Sequence, residues 1–147
     1  MDSTKLRQLL QQVRSGALSP DEAVSRLRHM PFEDLGFARI DHHRRVRSGL
    51  PEVIFSQGKT PAQVAKIFKH MAAQGGNVLA TRATADHFRA VKKIVRKAEY
   101  RELARAIVLK QDPAAYGKGA VVVISAGTSD IPVAEEALVT AKSWAMK

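Results

Sequence analysis

The first thirty residues carry apolar side chains at helical spacing. Four of them fall at positions i, i+3, i+4 and i+7 and predict the buried stripe of a short helix: Leu6, Leu9, Leu10 and Val13. Gly16 ends this helix, and Ser19 begins a second one as its N-cap, with Pro20 in the first helical position. Glu22 stands three residues after Ser19 and closes a capping box. We therefore predict a helical hairpin over about residues 3–29.

The middle of the chain alternates between short apolar segments and segments of helical spacing. Thr60 and Thr84 each fit an N-cap, and Gly75 ends the first of the two helices. The predicted strands are residues 37–40, 52–55, 78–80 and 106–109, and the predicted helices begin at Pro61 and at Ala85, the second running to about Ala98. Strands and helices that alternate with short connections are typical of an α/β fold, here a small domain with a partly parallel sheet.

A change of pattern near residue 119 predicts a domain boundary. Residues 120–124 form a fully apolar, β-branched run, which is typical of a strand buried on both faces. A loop of small residues follows, and then a helix that starts near Pro132. We predict that residues 1–118 form one basic α/β domain, and that residues 119–147 are the first strand, loop and helix of a second, incomplete domain.

Composition and charge restrict the classes of function. The chain has 147 residues, with 24 Lys and Arg against 14 Asp and Glu, and a formal net charge of +10. Residues 119–147 hold two Lys and three acidic residues, a sum of −1, so the first 118 residues carry +11. This charge predicts an anionic partner, such as a nucleotide, a nucleic acid, an acidic lipid surface or an acidic protein.

Absent features narrow these classes further. No apolar run approaches the ~20 residues that span a bilayer and no signal peptide is present, so we expect a cytoplasmic protein with no membrane partner. The sequence has no Cys, which excludes disulfides, thiolate metal sites and a Cys nucleophile within these residues. The adjacent His42 and His43 point in different directions on a helix or a strand, so no metal site is predicted.

The loop before the last helix is the first candidate site. Residues 125–130 join the predicted buried strand to a helix N-terminus, where unpaired backbone N–H groups and the helix dipole favour phosphate or carboxylate. Gly127 lets a ligand approach the backbone, and the hydroxyls of Thr128 and Ser129 can donate to it. Asp130 can accept from ribose hydroxyls. The alternative is that Ser129 or Asp130 only caps the helix.

The basic segment that follows the first predicted strand is the second candidate. Asp41 and His42 can form an acid–base pair near neutral pH. Arg44 and Arg47 share one face of a helical turn and can bind phosphates or carboxylates. The alternative, which the residues alone favour, is a solvated basic turn paired with Asp41 and Glu52.

Further cations lie near the two central helices. Residues 58–61, Gly-Lys-Thr-Pro, are similar to the end of a phosphate-binding P-loop, but Val53 stands where that motif needs Gly, which excludes a nucleotide-triphosphate P-loop. Lys59 and Arg82 are therefore candidate anion contacts only. The second helix carries a stripe of cations that is typical of a solvated helix face: Arg89, Lys92, Lys93, Arg96 and Lys97. Aromatic residues, which could stack on bases, are only 5% of the chain, so a nucleic acid is not the expected partner of this stripe.

Three separated motifs together point to a family. LGFARIDHHRRVRSGLPEVIFSQGKTPAQV, VLATRAT and VVVISAGTSDIPVAEEA resemble, in order and spacing, motifs of the LarB family, over about residues 30–140. Enzymes of this family begin the synthesis of the nickel-pincer nucleotide cofactor and are related to the purine enzyme PurE, the aminoimidazole ribonucleotide carboxylase or mutase. The resemblance implies a LarB-like N-terminal domain, followed by a PurE-like, flavodoxin-like domain that assembles into an octamer.

The resemblance also implies an activity and its site. Family members carboxylate the pyridinium ring of nicotinic acid adenine dinucleotide with CO2 or bicarbonate, then hydrolyse the phosphoanhydride to release AMP and a biscarboxylated pyridinium mononucleotide. In PurE the corresponding loop is Gly-Ser-X-Ser-Asp and holds the phosphoribosyl group, and Ser129 and Asp130 match its last two positions. The resemblance thus implies substrate contacts from Gly127, Thr128, Ser129 and Asp130, with no cofactor bound by this chain.

The chain departs from the family in its last part. Family members continue well beyond this loop, and their catalytic Cys lies in that continuation, whereas this sequence has no Cys and ends at Lys147. We therefore expect a truncated form that is inactive alone, with the dinucleotide as its ligand and a homo-oligomer as its assembly. The alternative is a shortened nucleotide-binding, nucleic-acid-binding or assembly module without catalysis.

Overall fold

The structure, a computed structural model, describes residues 3–27, 32–41, 44, 50–113 and 119–144. The chain divides into two compact units, Met1–Glu52 and Val53–Lys147. Helices combine with a mixed parallel and antiparallel sheet, which confirms the predicted α/β class. Along the described residues, no helix is both long enough and apolar enough to cross a membrane.

The first unit contains a helical hairpin and a β-hairpin. Helix α1 spans Ser3–Arg14 and helix α2 spans Pro20–Leu27. Their apolar stripes meet in a small cluster: Leu9, Leu18 and Ala23, with Val13 and Leu27 packed against it. Strands β1 (Phe32–Asp34) and β2 (Arg39–Asp41) pair antiparallel, so the strand predicted near residues 37–40 is one arm of a two-stranded hairpin.

The capping box predicted at the start of α2 is present. The Glu22 carboxylate accepts from the Ser19 N–H (3.1 Å) and from the Ser19 hydroxyl (2.9 Å), and the Glu22 N–H donates to Ser19 Oγ (3.2 Å). These hydrogen bonds favour the ionised carboxylate and hold the pKa of Glu22 below its ordinary value. The start of α2 is therefore fixed by its own local sequence.

The second unit is built around a four-stranded sheet. Its strands are β3 (Ile54–Phe55), β4 (Val78–Thr81), β5 (Glu99–Arg101) and β6 (Ala106–Leu109). The helices described in it are α3 (Pro61–Ala73), α4 (Ala85–Ile94) and α5 (Ile131–Ser143). The strand order is β3-β4-β6-β5, with β3 and β4 parallel and the other two pairs antiparallel.

Strand β5 accounts for the difference between the predicted and the observed topology. The second helix was predicted to run to about Ala98, but α4 ends at Ile94 and β5 begins at Glu99. Because β5 and β6 form a hairpin around residues 102–105, β6 runs antiparallel to β4. The sheet is therefore partly parallel, as predicted, but its parallel part is only the pair β3 and β4.

Helices cover both faces of the sheet. On one face α3 and α4 pack against each other and against β3, β4 and β5, and Val78 and Ile107 are almost completely buried. Successive side chains of a strand alternate between faces, so Leu79 lies on the other face. There it packs with Val139 of α5 and with Trp144. Helix α5 therefore shares a hydrophobic core with the sheet.

The prediction of a strand at residues 120–124 is wrong. This segment forms no strand, and Val122 and Ile124 are 77% and 88% exposed. An apolar run is buried as a central strand only where it has a strand partner on each side, and this segment pairs with none of the four described strands, although β3 and β5 lie at the edges of the sheet. The chain divides into compact units after Glu52, and the domain boundary predicted near residue 119 stays a prediction. The assignment of residues 119–147 to a PurE-like domain stays a prediction.

Candidate functional site

The carboxyl ends of β3 and β4 bring two loops together at one edge of the sheet. Residues 56–60 lead from β3 into α3, and residues 82–84 lead from β4 into α4. The parallel register aligns Phe55 with Thr81, and the Ser56 N–H donates to the Thr81 carbonyl (2.9 Å). Ligands of α/β proteins bind outside the carboxyl ends of parallel strands, so this edge is a candidate site.

Both helices that leave this edge begin with a capping box, as their sequences predict for the N-caps. In α3 the Gln63 N–H donates to Thr60 Oγ1 (3.3 Å), and the Thr60 N–H donates to Gln63 Oε1 (2.9 Å). In α4 the His87 N–H donates to Thr84 Oγ1 (3.4 Å), and the Thr84 N–H donates to His87 Nδ1 (3.0 Å). The two capping boxes therefore fix where each loop ends and where α3 and α4 begin.

His87 also joins the two loops, a role that sequence reasoning missed. The residue is 7% exposed, and Nε2 lies 2.9 Å from the Lys59 carbonyl oxygen. Because Nδ1 accepts the Thr84 N–H, the hydrogen-bond network assigns the proton to Nε2, which donates to Lys59. The only sequence signal was a polar residue three positions after Thr84, where a capping box usually has Glu or Gln.

The predicted anion contacts Lys59 and Arg82 both lie at this edge. Lys59 Nζ donates to the Phe55 carbonyl (2.8 Å), so its side chain folds back across the loop that it belongs to. Arg82 has φ +52°, a left-handed conformation that costs a non-glycine residue free energy. Its Nε lies 3.1 Å from Glu136 Oε2, so Arg82 connects the edge to α5.

Tyr100 supports the edge from β5. Its hydroxyl donates to the Ala83 carbonyl (3.2 Å), and its ring stacks on Phe88 with 5.3 Å between the centroids. Burial raises the pKa of Tyr100, the nearby Glu102 carboxylate adds to this rise, and Arg105 opposes it.

We expect Tyr100 to ionise at a higher pH than an ordinary tyrosine. Because its pKa is raised in the folded state, the stabilisation is complete below the unfolded pKa of about 10 and is lost as the pH rises through the folded value. The ionisation of tyrosine is followed by ultraviolet absorbance as the pH is raised, for the wild type and for the Tyr100→Phe variant. The difference between the two curves reports Tyr100 alone, because Tyr116, the second tyrosine, is present in both. A difference curve with its midpoint at or below about 10 would contradict the assignment.

The predicted substrate loop is an open, solvent-facing turn. Thr128–Asp130 form a 3-10 turn in which the Asp130 N–H donates to the Gly127 carbonyl (3.0 Å). A Cβ on residue 127 would lie 3.2 Å from Oδ2 of the exposed Asp130 side chain. The hydroxyls and the carboxylate are exposed, and no side chain caps the N-terminus of α5. The alternative, in which the side chain of Ser129 or Asp130 caps the helix, is therefore not observed.

The remaining predicted site residues belong to the first unit. Asp41 lies at the end of β2, half-buried, and its N–H donates to the Glu52 carboxylate. Arg44 is exposed. His42 and Arg47 lie outside the described residues, so the predicted acid–base pair and the arginine pair remain predictions.

Comparison with known proteins places the chain in a family. Residues 32–111, more than half of the chain, match the family model of the LarB/PurE-like N-terminal domain. The chain belongs to this family. Membership confirms the resemblance to LarB proteins, and the match includes the first two of the three sequence motifs.

The LarB/PurE-like domain can now be located on the fold. The match begins at β1 and ends two residues after β6, so it includes the β-hairpin of the first unit and both loops of the sheet edge. Loop Gly127–Asp130 lies beyond it. Over 141 residues the chain is also 30% identical to an uncharacterized protein of Methanocaldococcus jannaschii, an alignment that covers 90% of the chain and 54% of that relative. The chain thus spans about half the length of the curated relative it matches.

Proposed function

We propose that this chain is the N-terminal part of a LarB-type enzyme of nickel-pincer nucleotide synthesis. The reaction is carboxylation of the pyridinium ring of nicotinic acid adenine dinucleotide by CO2 or bicarbonate, followed by hydrolysis of the phosphoanhydride. The observation that carries the proposal is the match of residues 32–111 to the LarB/PurE-like N-terminal domain. The net charge of +10 suits an anionic dinucleotide substrate.

In this proposal the open turn before α5 contacts the substrate's phosphoribosyl group. Its support is the exposure of the Thr128 and Ser129 hydroxyls at a helix N-terminus that no side chain caps. Asp130 accepts from the ribose hydroxyls. Arg44 and Arg47 are further proposed anion contacts, and Asp41 with His42 a proposed acid–base pair. We further propose a homo-oligomer that acts in the cytoplasm.

The chain alone is proposed to bind the dinucleotide without converting it. The family's Cys, which acts on the pyridinium ring, has no counterpart among these 147 residues. The second candidate is a binding module for a nucleotide or nucleic acid, favoured by the exposed cations on the outer sides of α3 and α4. They include Lys66, Lys69, Arg89, Lys92 and Lys93.

Calorimetric titration of nicotinic acid adenine dinucleotide into the chain, with an assay for released AMP, tests the proposal. We expect saturable binding, no AMP, and at least about a tenfold weaker affinity for Asp130→Ala, since a charge-assisted hydrogen bond is lost. Glu99→Ala removes an exposed carboxylate from β5 and serves as the matched control, with unchanged affinity.

Three results would count against parts of this proposal. AMP release by the purified chain would contradict the expected inactivity, and an unchanged affinity of Asp130→Ala would remove the assigned loop. Binding of a random DNA duplex with a steep salt dependence, together with no saturable dinucleotide binding, would favour the nucleic-acid module instead.

A further inference from the structure

Ser56 is a buried hydroxyl that the proposed function does not use. It is fully buried, directly after β3, and its Oγ has no hydrogen-bond partner among the described residues. Buried polar atoms in folded proteins nearly always have a partner, because an unmade hydrogen bond costs free energy. The unpartnered hydroxyl therefore indicates that a further group forms a hydrogen bond with Ser56 Oγ.

The strand geometry shows which way the Ser56 side chain faces. The parallel ladder continues to this residue, because its N–H donates to the Thr81 carbonyl. Side chains alternate along a strand, so Ser56 faces the same side as Ile54, the side covered by α3 and α4. The hydroxyl thus lies where β3 ends and α3 begins, on the helix side of the sheet edge.

Each of the two loops at this edge carries a cation. The Lys59 ammonium lies 2.8 Å from the carbonyl of Phe55, the residue before Ser56, so the Lys59 side chain closes over the turn that contains the hydroxyl. Arg82 follows the neighbouring strand, and because its Nε pairs with Glu136 Oε2 (3.1 Å), its two terminal nitrogens are the donors that it can offer to a phosphate. The N-termini of α3 and α4 add partial positive charge at the same edge.

The edge is also held in a fixed arrangement before any ligand arrives. His87 connects the Lys59 carbonyl to the Thr84 N–H, so the two loops cannot separate without breaking a buried hydrogen bond. The bridge fixes the backbones of the two loops, so that the rearrangement on binding is confined to the side chains and to the turn that Lys59 closes.

We propose that this edge is a phosphate-binding site in which Ser56 Oγ, Lys59 and Arg82 bind the phosphate oxygens. The ligand class is orthophosphate or a phosphate monoester. On binding, the Lys59 ammonium leaves the Phe55 carbonyl for the phosphate, which opens the turn and gives the Ser56 hydroxyl its partner. The site uses no residue of loop Gly127–Asp130 and does not depend on the substrate proposed for that loop.

Titration of the isotope-labelled chain with sodium phosphate at constant ionic strength, followed by amide NMR, tests the site. We expect saturable shifts that concentrate in residues 56–60 and 81–84. Lys59→Met is expected to raise the Kd about tenfold, as for the loss of one charge-assisted hydrogen bond. Lys69→Met makes the same change at an exposed position of α3 and is expected to leave the Kd unchanged.

Ser56→Ala examines the hydroxyl itself. Without phosphate this variant is expected to melt at the same or a higher temperature than the wild type, because it removes an unpartnered buried group. With phosphate it is expected to gain less in melting temperature than the wild type and to bind more weakly. An unchanged Kd would show that the hydroxyl does not contact the phosphate, and the proposed site would be overturned.

Two further outcomes would also overturn the site: shifts spread over all basic surfaces without saturation, and equal weakening by Lys69→Met and Lys59→Met. Arg82→Gln provides a second variant at the edge, with the same expected direction as Lys59→Met. Asp130→Ala is expected to leave phosphate binding at the edge unchanged. Failure of the dinucleotide proposal therefore remains distinguishable from failure of this one.

Discussion

Replacing Leu79 by alanine is expected to lower the free energy of unfolding of the second unit by about 3–5 kcal/mol. Leu79 lies in β4, which has neighbours on both sides, and its side chain is fully buried. It packs in a cluster with Ala106, Val139 and Trp144, which joins α5 to the sheet. The substitution removes buried apolar volume and leaves a cavity that a strand paired on both sides cannot close.

Urea denaturation followed by fluorescence measures this effect directly. Trp144 is the chain's one tryptophan and belongs to the cluster, so its emission reports the release of α5. Leu103→Ala makes the same substitution where the side chain is 53% exposed, and we expect a change within about 0.5 kcal/mol. Similar losses in both variants would show that Leu79 is not a core residue of this unit.

The sequence predicted best those elements whose signals are local. The capping residues Ser19, Thr60 and Thr84 each begin a helix where expected, because an N-cap acts through residues within one turn. The parallel pairing of β3 with β4 followed from the intervening helix. Strand β5 was missed because its three residues alternate charged and aromatic side chains at a sheet edge, which gives almost no apolar signal.

The strand prediction at residues 120–124 failed for a different reason. Hydrophobicity measures the tendency of a segment to be buried, but a strand also needs partners for its backbone groups. The four strands described in the second unit pair in the order β3-β4-β6-β5, and this segment pairs with none of them, not even with the edge strands β3 and β5. Pairing between distant segments is a tertiary property, and no pattern within the run itself can supply it.

The candidate site was predictable in part: residue types could be predicted from the sequence, but contacts between distant loops could not. Lys59 and Arg82 were expected as anion contacts because of their residue types, and the sheet brings their loops to one edge. The bridging role of His87 and the missing partner of Ser56 could not be predicted, since both depend on which loop lies beside which. Distances between loops follow from the register of β3 and β4, which the sequence does not state.

Replacing Asn77 by alanine is the second change with a large expected effect. Its amide is buried and makes four hydrogen bonds to the backbone. Nδ2 donates to the carbonyls of Asp112 (3.3 Å) and Ser143 (2.9 Å), and Oδ1 accepts the N–H groups of Gln111 (2.8 Å) and Asp112 (2.8 Å). One side chain thus connects the start of β4, the segment after β6 and the end of α5.

The Asn77→Ala variant is expected to lose about 2–4 kcal/mol of unfolding free energy, because each buried polar group left without a partner costs about 1–3 kcal/mol and solvent replaces only part of the network. Asn77→Asp retains acceptors for Gln111 and Asp112 but places a carboxylate oxygen against the Ser143 carbonyl, so we expect no recovery. Gln74→Ala removes an exposed amide from the end of α3 as the control. If Asn77→Ala were as stable as Gln74→Ala in urea denaturation, the hydrogen bonds of Asn77 would not contribute to the connection between α5 and the sheet.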